Sequence, residues 1–182
     1  KWFEKFHWFL SSEGFLCIGG RDATSNEIVV KKHVDKDDLV FHTEAAGSPF
    51  FVVKSEGKKV GDATIKECAD ATAAYSKAWK LGLATTEVYW VKPEQISKTT
   101  ETGEYVAKGA FIIRGKKSNV PVEIKLAVGI TKEKKIVGGP QSAIAKNCEK
   151  HVSIEQGDKK TSEFAKQIQK ILCSGDLTEI VS

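Results

Sequence analysis

Apolar residues along the chain come in short runs set off by glycine, proline and polar turns, with two stretches at helical spacing. Trp8-Phe9-Leu10 and Phe15-Leu16-Cys17-Ile18 flank the turn Ser11-Ser12-Glu13-Gly14, so His7–Gly20 reads as a β-hairpin. A helix is expected next, from the spacing of Thr24 and Glu27 as a capping box, although Ile28-Val29-Val30 suits a strand equally well. Leu39-Val40-Phe41 and Phe50-Phe51-Val52-Val53 are short apolar strands joined through the turn residues Gly47-Ser48-Pro49. From Asp62 to Leu81, Ile65, Cys68, Ala69, Thr72, Tyr75 and Trp79 keep to one face, which predicts a long helix stopped by Gly82. Glu87–Val91 reads as a strand and Pro93–Tyr105 as loop. Two further strands, Ala110–Arg114 and Val122–Ile130, are expected to pair across Gly115–Pro121. Toward the C-terminus, Gly138-Gly139-Pro140 introduces a short helix and His151–Ile154 a strand. The last predicted helix is Asp158–Leu172, with Phe164, Ala165, Ile168, Ile171 and Leu172 on one face. The expected class is α+β: a mixed, largely antiparallel sheet packed against a long central helix and a C-terminal helix. Its expected division is a core over 2–130 and an α/β extension over 131–182.

Composition narrows the function classes. With 182 residues, 41% hydrophobic and 29% charged, the chain is long enough for one good core. It has no apolar run of membrane-spanning length, so no membrane partner is expected. It starts at Lys1 and contains no Met, so it is expected to be a piece of a longer polypeptide. Cys17, Cys68, Cys148 and Cys173 are scattered without a C-x-x-C pair, and the histidines without H-x-x-x-H spacing. The cysteines are therefore expected to be core hydrophobes in a reducing, cytoplasmic setting, with no structural metal and no cofactor. No G-x-S-x-G occurs, and His42 with Glu44 sits at i, i+2 spacing that serves a structural hydrogen bond as well as an acid–base pair. An enzyme is not expected.

Charge changes the picture more. Net charge is only +4, yet Lys92–Lys135 holds ten basic against five acidic residues, and the remainder of the chain is slightly acidic. That asymmetry suits a polyanion-facing surface, or a solvated lysine-rich face. Ile18-Gly19-Gly20-Arg21-Asp22 lies between a strand and a helix, where glycine-freed amides, a helix dipole and Arg21 would suit a phosphate. The same turn reads structurally if Arg21 pairs with an acidic neighbour. The polar loop Lys92–Tyr105, flanked by Tyr89, Trp90 and Phe111 and followed by Arg114-Gly115-Lys116-Lys117, suits RNA better than duplex-groove readout, or simply joins strands.

Several segments carry a resemblance. Ile18-Gly19-Gly20-Arg21-Asp22-Ala23 with Asn26-Glu27, Phe41-His42-Thr43-Glu44 with Gly47-Ser48, and Ala74-Tyr75-Ser76-Lys77-Ala78-Trp79 fit one pattern. Val88–Val91, Gln95-Ile96-Ser97-Lys98, Thr102-Gly103-Glu104-Tyr105 and Lys108–Lys117 complete it in the same order. Over about 2–130 the chain resembles the NFACT-R domain, the RNA-binding part of the NFACT proteins of ribosome-associated quality control. Its style is archaeal, and the tail from Lys135 resembles an archaeal extension. The resemblance implies a non-catalytic module that binds tRNA or rRNA on an obstructed large ribosomal subunit and recruits tRNA there. It also implies an NFACT-N lobe and a coiled coil as partners in the longer protein. A docking module for a ribosomal protein or for the NFACT-N lobe is the alternative. Carried onto this sequence, Arg21, Lys98, Lys108, Arg114, Lys116 and Lys117 meet phosphates. Asn26, Gln95, Ser97 and Tyr105 hydrogen-bond or stack, and His42 is an accessory contact. Asp22 and Glu104 orient the basic groups, while Trp79 and Trp90 belong to the core.

Overall fold

The computed structural model describes all residues except 83–85, 156, 158–159, 173–174, 176–178 and 181–182. Its centre is a six-stranded sheet in the order β1-β2-β4-β3-β5-β8. These strands are β1 (His7–Leu10), β2 (Leu16–Gly19), β3 (Leu39–Thr43), β4 (Phe51–Lys54), β5 (Val88–Val91) and β8 (Ser118–Val120). The minor strands β6 (Ile96–Ser97) and β7 (Ile112–Ile113) pair with each other. A second sheet joins β9 (Leu126–Ile130), β10 (Ile136–Pro140) and β11 (Lys150–Ile154), with β9 in the middle. Every strand pair among the described residues is antiparallel. The α+β class holds, with an antiparallel rather than a mixed sheet.

The apolar runs are continuous because both faces of the large sheet are covered. Side chains alternate across it: Cys17, Phe41, Phe51, Val53 and Val88 face one cluster, and Ile18, Val40, Val52, Tyr89 and Val91 the other. The first face packs on α2 (Asp62–Ala74), whose alanines allow a close approach, and on Ala127, Val137, Ala143 and Ile144. The second packs on Val29 of α1 (Ala23–Lys32), on Phe6 and on half-buried Phe111 and Ile113. The helix reading of Ile28-Val29-Val30 is therefore the one realised. A third cluster joins Val128 and Ile130 to Ile168 and Leu172 of α5 (Thr161–Leu172). Cys17 and Cys68 lie in the first cluster and Cys148 packs at its edge; Cys173 lies outside the described residues.

Three expectations are corrected. The helix predicted over Asp62–Leu81 is broken: α2 ends at Ala74, and a one-turn α3 (Lys77–Lys80) starts again after Ser76. The Ser76 hydroxyl donates to the Ala73 carbonyl (2.5 Å) and accepts from the Ala78 amide (3.2 Å), closing one helix end and capping the next. The α1 capping box is Asp22 with Ser25, not Thr24 with Glu27. Finally, Ala110–Arg114 does not pair with Val122–Ile130. Only Ile112–Ile113 forms a strand there, against β6, while β9 joins β10 and β11.

Residues C-terminal to 130 cover α2 and the β1 edge. Ser142 donates to Glu67 (2.7 Å), and the Asn147 amide donates to the Leu10 and Ser11 carbonyls (3.0 and 3.2 Å). Here α4 (Gln141–Asn147) carries Ala143 and Ile144 into the first cluster. Among the described residues, no helix is long and apolar enough to cross a membrane.

Candidate nucleic-acid interface

The turn into α1, the β3–β4 turn and the segment Lys108–Ile113 converge on a cleft of about 640 Å³. Arg21, His42, Lys108 and Lys117 all line it. Thus residues from three distant parts of the sequence are brought to one place.

The backbone of the glycine turn is not free for an anion. Gly20 N donates to Phe50 O (3.2 Å), and the Arg21 and Asp22 amides both donate to the Ser25 hydroxyl (2.7 and 2.9 Å). Asp22 in turn accepts from Ser25 N (2.7 Å). The expectation of an amide cradle is overturned, because a side-chain cap already occupies the donors. Glycine is needed at position 20 for space, since a Cβ there would overlap Asn26 Oδ1. The Asp22 carboxyl is held below its usual range, chiefly by the Ser25 hydrogen bonds and also by nearby Lys108.

Each expected site residue has a definite place. Asn26 is 8% exposed, accepts from Phe50 N (3.1 Å) and donates to Ser48 O (3.5 Å), so it clasps α1 to the β3–β4 turn. His42 stacks flat on Phe50 with ring centroids 3.8 Å apart and bonds Pro49 O through Nδ1 (3.0 Å). Burial lowers its pKa, which the Pro49 bond and Glu44 oppose. The Gln95 amide donates to the Arg114 and Lys116 carbonyls (2.8 and 2.9 Å) and its oxygen accepts from Lys92 N (2.9 Å), so Gln95 shapes the basic segment from beneath. Ser97 donates to Thr99 O (3.1 Å). Tyr105 is 74% exposed beside its bridge to Thr99. Trp79 and Trp90 are half-buried.

The cations divide into two groups. The Lys98 ammonium donates to Glu27 (2.7 Å) and to the Ala107 and Ala110 carbonyls (2.7 and 2.8 Å), and lies 4.5 Å from the Phe111 ring centroid. Lys117 pairs with Glu44 and sits over the Tyr89 ring at 4.6 Å. In contrast, Arg21, Lys108, Arg114 and Lys116 are exposed and make no ion pair among the described residues. Arg21 touches Phe6 O at 3.4 Å and Arg114 touches Thr99 O at 3.3 Å, each leaving most of the guanidinium fork unused. Four of the six expected phosphate-binding side chains therefore keep their charge toward solvent.

Two builders of this surface escaped the sequence reading. Glu27 accepts from Lys31 (2.7 Å), Lys98 (2.7 Å) and Gly109 N (2.8 Å). Burial raises its pKa, but these three donors outweigh that and hold it at about 2. Gly109 has φ +79°, and a Cβ there would come within 2.6 Å of Ala23 Cα. Only glycine lets the Lys108 loop lie directly on the start of α1. Glu27 and Gly109 both lie in segments that carry the resemblance, Asn26-Glu27 and Lys108–Lys117, but nothing in the sequence pairs Glu27 with Lys98, 71 residues away.

The family model of the NFACT protein RNA-binding domain matches residues 5–115. The chain belongs to the NFACT-R family. An NFACT-R relative, the archaeal Rqc2 homolog aRqcH of Methanocaldococcus jannaschii, is 44% identical over 94% of this chain and 26% of its own length. That alignment runs into the tail. The ribosome quality control complex subunit NEMF homolog of Drosophila melanogaster is 44% identical, and human NEMF 43%. Each of these aligns over 66% of this chain, which spans only 12% and 11% of their respective lengths. The fold is shared with the C-terminal part of the fibronectin/fibrinogen-binding protein of Streptococcus suis. The TM-score is 0.55 at 19% identity, over 71% of this chain and 47% of that one.

Proposed function

We propose that this NFACT-R domain holds tRNA or rRNA on the large ribosomal subunit, within a cytoplasmic quality-control factor that recruits tRNA to obstructed subunits. The observation that carries this reading is the set of four exposed cations, Arg21, Lys108, Arg114 and Lys116, which make no ion pair among the described residues, with Arg21 and Lys108 lining the cleft, in a chain of modest net charge. Cations not neutralised from within release counterions from a phosphate backbone on binding. Arg21 and Arg114 add the bidentate fork that suits phosphate, and exposed Tyr105 offers a ring for stacking. Asn26, Gln95, Ser97, Lys98 and His42 are assigned to building this surface, since their polar groups are committed to backbone or carboxylate partners. The domain contributes grip and no bond-making step. Residues 2–130 form the RNA-holding core and 131–182 an extension laid over α2, while an NFACT-N lobe and a coiled coil would complete the longer protein.

A gel-shift series over 50–300 mM salt, against tRNA, a ribosomal RNA fragment and duplex DNA, tests the reading. The expected result is retardation of both RNAs, with log affinity falling linearly in log salt at a slope of about −3 for four phosphate contacts. Salt-insensitive capture of a ribosomal protein without RNA retardation would replace the proposal with a protein-docking role.

A further inference from the structure

Arg21, His7 and Tyr75 line the cleft just described and also a second, larger cavity of about 1000 Å³. The larger cavity is lined by β1, the α2–α3 junction, β9, β10, the end of β11 and the start of α5. That size accommodates a planar ligand the size of a nucleotide with room to spare. The break after Ala74 places Tyr75 at the end of α2, where it stays 37% exposed while neighbouring Phe51 is fully buried. The His7 ring stacks on Tyr75 at 3.7 Å with an 18° tilt. Burial and the nearby Arg21 charge hold the His7 pKa at about 3, so this ring is a neutral plane at physiological pH. Trp79 is a further aromatic residue of the lining, and Arg21 and Lys80 add two cations to it. Ser153 and Glu155, also in the lining, offer hydrogen-bond acceptors suited to the amine edge of a base.

We infer that this cavity receives one unstacked nucleobase of the bound RNA, laid against the Tyr75 ring, with the adjoining phosphate on Arg21. The inference rests on the RNA-holding reading and extends it, because Arg21 is common to both cavities and lets one strand pass from the cationic surface into the aromatic one. Aromatic stacking of this kind accepts any base and is lost when the ring is truncated.

Fluorescence anisotropy with a single-stranded RNA decamer and an abasic ribose-phosphate decamer of equal charge tests it. Tyr75→Ala is expected to weaken the base-bearing decamer about tenfold, with the abasic affinity and the salt slope unchanged. Tyr75→Phe should bind as the unaltered chain does. Ser153→Trp, which fills the cavity from an exposed position on β11, should reproduce the loss without disturbing the core stack. Wild-type affinity of both Tyr75→Ala and Ser153→Trp for the base-bearing decamer, with the salt slope intact, overturns the base site alone. Equal weakening toward both decamers, or adenosine monophosphate binding as tightly as the decamer, overturns it too: the first makes Tyr75 merely structural, the second makes the cavity a free-nucleotide site. Failure of the unaltered chain to bind either decamer while it still retards tRNA overturns the base site alone; failure to bind tRNA as well overturns the RNA-holding reading, and the base site with it.

Discussion

Replacing Arg21, Lys108, Arg114 and Lys116 together by Ala is expected to reduce affinity for structured RNA about a thousandfold at 0.1 M salt. Each phosphate contact contributes about 0.7 to the salt slope, so four contribute about 3. Extrapolated from 1 M, where counterion release ceases to favour binding, a slope change of 3 becomes roughly three decades at 0.1 M. The melting temperature should stay within a few degrees, because none of the four makes an ion pair among the described residues and all are exposed. Surface substitutions away from such partners usually change stability by less than about 0.5 kcal/mol. Isothermal binding at three salt concentrations, with a thermal melt of the same sample, separates the two effects.

Lys98→Met should behave in the opposite way. Lys98 sits within the same basic segment, but its ammonium is spent on Glu27 and two carbonyls, and its side chain is only 12% exposed. Removing it leaves partly buried acceptors unpaired, at a cost of about 2 kcal/mol, or roughly a 5 °C lower melting temperature for a domain of this size. RNA affinity at low temperature, where the variant is still folded, should remain within about threefold of the original. The acid limb of stability carries the same signature. Because the folded pKa of Glu27, about 2, lies below its ordinary value of 4.5, its contribution is complete above about pH 4.5 and is lost as pH falls toward 2. In Lys98→Met that loss between pH 4.5 and 2 should be shallower, since one of the three donors holding the carboxylate is gone. A series of thermal melts between pH 2 and 6 reads it directly.

The residue types of the site were legible in the sequence, and their partners were not. Arg21, Lys108, Arg114 and Lys116 stand out by charge and by the glycine-bearing segments around them, and they remain displayed to solvent. Lys98 and Lys117 look identical to them on the page, yet each meets a carboxylate more than 70 residues away, which periodicity and turn chemistry do not reveal. The strands β3 and β4 were legible because burial on both faces writes them as unbroken apolar runs. β7 pairs with β6 and not with the segment after Pro121, because two residues carry no period in the sequence and that segment is engaged elsewhere: Glu123 N donates to Asp70 of α2 (3.0 Å). The break in the long helix involves neither glycine nor proline. Its signal is a single serine, and Ser76 acts only through the two backbone groups it satisfies.

Lysine footprinting of the 182-residue chain with and without bound tRNA, read by acetylation and mass spectrometry, tests most directly where the RNA lies. Protection is expected at Lys108 and Lys116. Lys36, Lys58 and Lys59, which follow α1 and β4 at the opposite end of the large sheet and are equally exposed, should react as in the free chain. Protection of that second set, with Lys108 and Lys116 still reactive, would contradict the assignment of the RNA-holding surface.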